Sequence, residues 1–143
     1  MRIGFQKLFA RYFFALFLCA CASVPSYDPA TEQSIAQLQR QFEFVFAPLE
    51  YGVGSPAADY RNYATDYQKL EVELSSLLAL QEARPNNSTI VDQLTLLEDS
   101  LIKFSEVHQG GLSDPTAVRA WRSAYNTTFA MMLRSEASKR DTI

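Results

Sequence analysis

The chain is poor in the side chains from which metal and nucleophile sites are built. Its 143 residues include one histidine, His108, and two cysteines, Cys19 and Cys21. A carboxylate-bridged di-iron site in a helical bundle needs two Glu-x-x-His pairs, and the residue three before His108 is Ser105. Zinc has no second histidine to bind, and the Cys-x-x-Cys-His run of c-type haem is missing. No serine lies in a Gly-x-Ser-x-Gly elbow, so no hydrolase triad can be assembled around one. Basic residues are not in excess: 13 Lys and Arg stand against 16 Asp and Glu. Nucleic-acid binding, which rests on basic patches that neutralise phosphates, is therefore excluded. No internal repeat recurs. Neither an enzyme nor a cofactor protein is expected, and catalytic and metal residues are set at none.

What the chain does have begins at its N-terminus. Arg2, Lys7 and Arg11 form a positive stretch, followed by the apolar run Tyr12 to Ala20. Nine apolar residues are too few to span a bilayer, which takes about 20. They suit the apolar region of a secretory signal, roughly 7–15 residues long. Removing residues 1–20 leaves 123 residues and takes away three basic side chains but no acidic one, a balance of −6. A polybasic grip on anionic lipid is then excluded as well. The remaining length supports one domain, which buries roughly 65% of its unfolded surface and needs no disulfide.

Leu18-Cys19-Ala20-Cys21 closes this stretch and resembles the bacterial lipobox, with Leu at −3, small Ala at −1 and Cys at +1. Taking Cys19 as the lipid site instead would place bulky Leu18 at −1, against the family pattern. The alternatives are an ordinary signal cleaved after Ala20 and an uncleaved anchor. The resemblance implies diacylglyceryl transfer to the Cys21 thiol, cleavage before it and acylation of the new amine. Several acyl chains make a stable anchor where one gives marginal binding. Ala22 and Ser23 after the cysteine resemble outer-membrane residents of this class, with the body facing the periplasm. Cys21 through Tyr27 is then a lipidated cysteine with a short linker, and 28–143 is the folded domain.

The domain reads as all-α. Asp28-Pro29, Ser55-Pro56 and Asp114-Pro115 each pair an N-cap side chain with proline at the first helical position. Ile35, Leu38, Phe42, Val45 and Leu49 recur at helical spacing, although Phe42, Phe44 and Phe46 also alternate as a strand would. The longer heptad-like pattern favours helix, with a kink or stop at Pro48. Tyr60, Tyr63, Tyr67, Leu70, Leu74 and Leu77 predict a second helix ended by Arg84-Pro85. Ile90, Leu94, Leu97, Leu101, Phe104 and His108 predict a third, stopped at Gly110-Gly111. Val118, Trp121, Tyr125, then Thr128 or Phe129, and Met132 mark a fourth, with Ser138 to Ile143 fraying. Short links between helices of roughly 20–25 residues predict an up-down-up-down four-helix bundle.

Within that bundle His108 is expected to cap a helix end, and Trp121 to enter the core. Tyr60, Tyr63 and Tyr67 continue into a leucine seam and so belong to the core; alternatively, with exposed Phe44, they form an aromatic partner surface. The segment 122–129 and the 27–31 opening also resemble small helical lipoproteins of Gram-negative bacteria, a resemblance that brings no activity with it. The expected role is a non-enzymatic binding or scaffold lipoprotein, attached to the membrane through Cys21 and meeting a protein partner in the envelope. Two other roles fit the same features. One is an immunity or inhibitor protein whose acidic surface meets a basic cleft. The other is a carrier of an apolar ligand held between the tyrosine stripe and Phe42/Phe46.

Overall fold

The computed structural model describes residues 26–140. They form four helices: α1 Pro29–Gly52, α2 Ala64–Glu82, α3 Ser88–Gln109 and α4 Pro115–Arg140. Two 3-10 turns, Pro56–Ala58 and Tyr60–Asn62, lie between α1 and α2. Among the described residues there is no strand. Helix α1 packs most heavily on α4, and α2 on α3, while lighter α1–α2 and α3–α4 contacts complete a four-helix bundle.

All three cap-plus-proline pairs cap as their chemistry requires. Asp28 accepts from the Ala30 N–H at 3.1 Å, Ser55 from Ala57 at 3.3 Å and Asp114 from Thr116 at 2.8 Å. Each satisfies one of the donors that a helix start leaves unpaired. Every link between helices turns on one residue with positive φ: Gly54 at 84°, Asn86 at 58° and Gly111 at 102°. Glycine takes that conformation without a Cβ clash, and asparagine is the side chain that tolerates it best.

Three boundaries depart from the sequence reading. Helix α1 runs through Pro48 to Gly52. Pro48 has no N–H to give the Phe44 carbonyl one turn back, and both residues lie on the exposed side of the helix. Ser55-Pro56 opens only a 3-10 turn, because Asp59 is extended (ψ 133°) and accepts from the Arg61 N–H at 3.0 Å. That local bond competes with a continuous helix, and α2 starts at Ala64. At the far end, α4 continues to Arg140 with Lys139 buried; the residues expected to fray are helical as far as they are described.

The core is aromatic at its centre. Phe46 of α1 meets one ring from each other helix: Phe104 of α3 at 4.8 Å, Tyr125 of α4 at 4.9 Å and Tyr67 of α2 at 6.4 Å between centroids. Phe42 adds edge-on contacts to Tyr125 and Phe129 at 5.0 and 5.1 Å. Such tilted and edge-on geometries are the ones aromatic quadrupoles favour. Leucines of α2 and α3 fill the space on one side of this cluster, with Leu74, Leu94 and Leu101 essentially inaccessible. The strand-like alternation at 42–46 resolves as helix: Phe42 and Phe46 point inward while Phe44 is 85% exposed. Truncating Phe46 to Ala should cost about 3–5 kcal/mol, through lost contacts and the cavity left among the four rings around it. Phe44→Ala should change stability by less than about 0.5 kcal/mol. Urea unfolding of the two variants beside the parent chain checks both values.

Candidate functional site

Leu18, Cys19, Ala20 and Cys21 lie outside the described residues. The other expected surface, Phe44 with the tyrosine stripe, separates into two places. Tyr67 is 1% exposed and Tyr63 is buried, with Tyr60 half-buried beside them. Tyr60 and Tyr63 stack loosely on Tyr67, at centroid distances of 6.0 and 6.4 Å. The stripe is therefore internal packing and not a free aromatic surface. Starting α2 at Ala64 turns Tyr60 and Tyr63 back over the end of α3.

What they cover is His108. Its Nε2 lies 2.8 Å from the Ala58 carbonyl, which can only accept, so Nε2 carries the proton. Its Nδ1 then accepts from the Tyr67 hydroxyl at 2.7 Å. Burial drives the Tyr67 phenol far above its ordinary range, so it stays a donor. His108 does not cap its own helix, as the sequence suggested. It pins α2 and the 3-10 turn at Ala58 to the last turn of α3. Neither ring nitrogen is left to take a proton from a substrate or to bind a metal. Among the described residues no group of three or more His, Cys, Asp or Glu is placed to hold a metal ion. A recess of about 390 Å³ opens beside this end, lined by Gly54, Asp59, Tyr60, Gln109 and Gly110.

Phe44 stands over a second, smaller recess of about 220 Å³ between α1 and α2, lined by Val45 and Leu70 and flanked by the Asp66–Lys69 pair. One residue short of the end of α1, Tyr51 is 81% exposed. Seven residues apart, Phe44 and Tyr51 lie on one side of the helix. The interior space between the tyrosines and Phe42/Phe46 is occupied by rings in contact.

Two polar constructions were not legible in the sequence. Along the α1–α4 seam, buried Glu50 accepts from Arg119 Nε at 2.6 Å and from Arg122 Nη1 at 3.0 Å. Glu43 accepts from Arg122 Nε at 3.1 Å and from Asn126, and Gln39 donates to Asn126 at 3.0 Å. Bonds to the two arginines hold both carboxylates below their ordinary range, Arg122 acting first on Glu43 and Arg119 first on Glu50. Trp121, expected in the core, is half-buried and packs against the core from the α3 side of α4, edge-on to Phe104 at 5.5 Å.

At the opposite end of the bundle, the start of α1 and of α3 meet the finish of α2 and of α4 in a buried polar cluster. Thr31 donates to Asp28 at 2.7 Å and accepts from Gln81 at 3.1 Å and Arg84 at 2.9 Å. Asn87 donates to Gln81 Oε1 at 2.8 Å and accepts from Lys139 at 3.0 Å. Lys139 also pairs with Glu136, which is 0% exposed, and Arg84 stands 3.9 Å from the same carboxylate. The preceding segment is tied to this end. Arg84 donates to the Ser26 carbonyl, Tyr27 donates to Glu32 at 2.7 Å, and Arg140 lies over the Tyr27 ring at 5.2 Å.

Compared with protein-family models, curated proteins and solved structures, the chain matches none of them. The seam carboxylates give a pH prediction. Glu43 and Glu50 are held below the ordinary glutamate value of 4.5 in the folded chain. Their contribution is therefore complete above that value and is lost as pH falls through their lowered folded values. Urea midpoints measured from pH 7 to pH 3 should fall on the acid side for the parent chain. Arg122→Ala should be less stable at pH 7 and show a shallower acid decline, since both carboxylates lose a partner.

Proposed function

We propose that the chain is a lipid-anchored, non-enzymatic lipoprotein of the bacterial outer membrane, whose helical body serves a protein partner in the periplasm. The observation that carries this reading is Leu18-Cys19-Ala20-Cys21 behind a basic and then apolar leader, with the folded body beginning a few residues later. The engagement of both His108 nitrogens supports a binding rather than a catalytic body. Phe44 and Tyr51 on one side of α1 are the aromatic side chains most available to a partner. Among the described residues no helix is long and apolar enough to cross a membrane, so attachment in this reading comes from the lipid on Cys21.

Mass spectrometry of the mature N-terminus, combined with fractionation of inner and outer membranes, tests the proposal. The expected product begins at Cys21, carries a diacylglyceryl thioether and an N-acyl group, and sediments with outer membrane. Cys21→Ser should accumulate as an unprocessed, unlipidated chain. An unmodified Cys21 or cleavage at another bond would contradict the reading.

A further inference from the structure

The tie between the N-terminal segment and the polar end of the bundle bears on how the body stands on a membrane. Ser26 and Tyr27 are held against Arg84, Glu32 and Arg140, which come from the end of the bundle where α1 and α3 start and α2 and α4 finish. From Cys21 to Ser26 there are five steps of chain, which span at most about 18 Å whatever path they take. The lower end of a body joined to lipid this way stays near the headgroups. The upper end is set by helix length: Trp121 stands nineteen residues before Arg140 on α4, about 28 Å away by helix rise.

We infer that this polar end is the face the body turns to the phospholipid surface, with the His108 end and its recess directed away from the membrane. The inference rests on the lipid at Cys21 proposed above and adds an orientation to it. Charge does not oppose it: Arg84, Lys139 and Arg140 nearly balance Asp28, Glu32, Glu82 and Glu136 at this end. With no net basic excess there, the tether sets the orientation, and a polybasic attraction to anionic lipid is not needed. Phe44 then stands about 22 Å up α1 from Pro29, and Tyr51 about 33 Å. Their apolar side chains are thereby presented to partners beyond the headgroup layer, not to lipid.

Energy transfer from tryptophan to a dansylated headgroup lipid tests the orientation. The mature lipoprotein is reconstituted into phosphatidylethanolamine–phosphatidylglycerol vesicles and recovered by flotation. The parent chain has Trp121 as its only donor. In two further chains Trp121→Phe is combined with Glu82→Trp or with Ala83→Trp, both at exposed positions at the end of α2. A fourth chain combines Trp121→Phe with Gln109→Trp at the opposite end. Transfer several-fold stronger from positions 82 and 83 than from 109 and 121 is the expected result, with unchanged helix content by circular dichroism. Flotation with equal transfer from both ends, or with stronger transfer from 109 and 121, overturns the orientation and leaves the anchor standing. Failure of the mature chain to float overturns the anchor and the orientation together.

Discussion

The Thr31 hydroxyl, giving its proton to Asp28 while taking hydrogen bonds from Gln81 and Arg84, is where the two halves of the bundle are joined. Through Asn87 the same cluster reaches Lys139 and Glu136, so the ends of all four helices share one polar interior. A well-packed apolar plug of equal volume would be at least as stable, because desolvating charges offsets much of their attraction. What the polar end supplies is alignment. A slip of α4 by one turn, about 5.4 Å, would take Lys139 from Asn87 and move Glu136 away from Arg84. Buried groups left without partners would then oppose the shifted packing. A greasy seam alone resists such a slip less, since one leucine replaces another after a turn.

The rest of the molecule is built around this fixed end in two layers. Above it lies an aromatic centre in which Phe46 meets one ring from each neighbouring helix. Above that, His108 ties α2, α3 and the turn at Ala58 together with its two nitrogens. Along one side, Arg119 and Arg122 hold α4 to α1 through Glu43 and Glu50. Much of the chain's charge is thus spent internally, between helices distant in sequence. Among the described residues, the features open to a partner are Phe44 and Tyr51 on α1, exposed aliphatic side chains such as Val72, Leu80 and Leu96 on α2 and α3, and the recesses at the flank of α1 and at the His108 end.

Four helices were legible in the sequence because apolar spacing and three cap-plus-proline pairs agree with one another. Every aliphatic position of the first three predicted seams is buried. The boundaries that shifted did so for local reasons: Asp59 adds a second capping side chain after Ser55, and Pro48 lies on the exposed side of α1. The polar end was illegible for a different reason. Glu136 and Lys139 continue the α4 seam at the right spacing but carry charges, and the stretch from Ser138 onward reads as fraying. Only the partners Asn87 and Arg84, about 50 residues away, make that burial tolerable. His108 was placed correctly on its seam, but its role as a cross-tie depended on the turn that carries Ala58. The tyrosine stripe was read both as core and as a partner surface; burial of Tyr63 and Tyr67 supports the first.

If the polar end holds the helices in one alignment, removing its buried cation should be far more harmful than removing the pair. Lys139→Met alone, measured by urea unfolding at pH 7, should lose about 3–5 kcal/mol, because Glu136 stays buried beside an apolar group. Adding Glu136→Leu to the same chain should restore most of that loss. A single variant within about 0.5 kcal/mol of the parent, or a double variant worse than the single, would contradict the account.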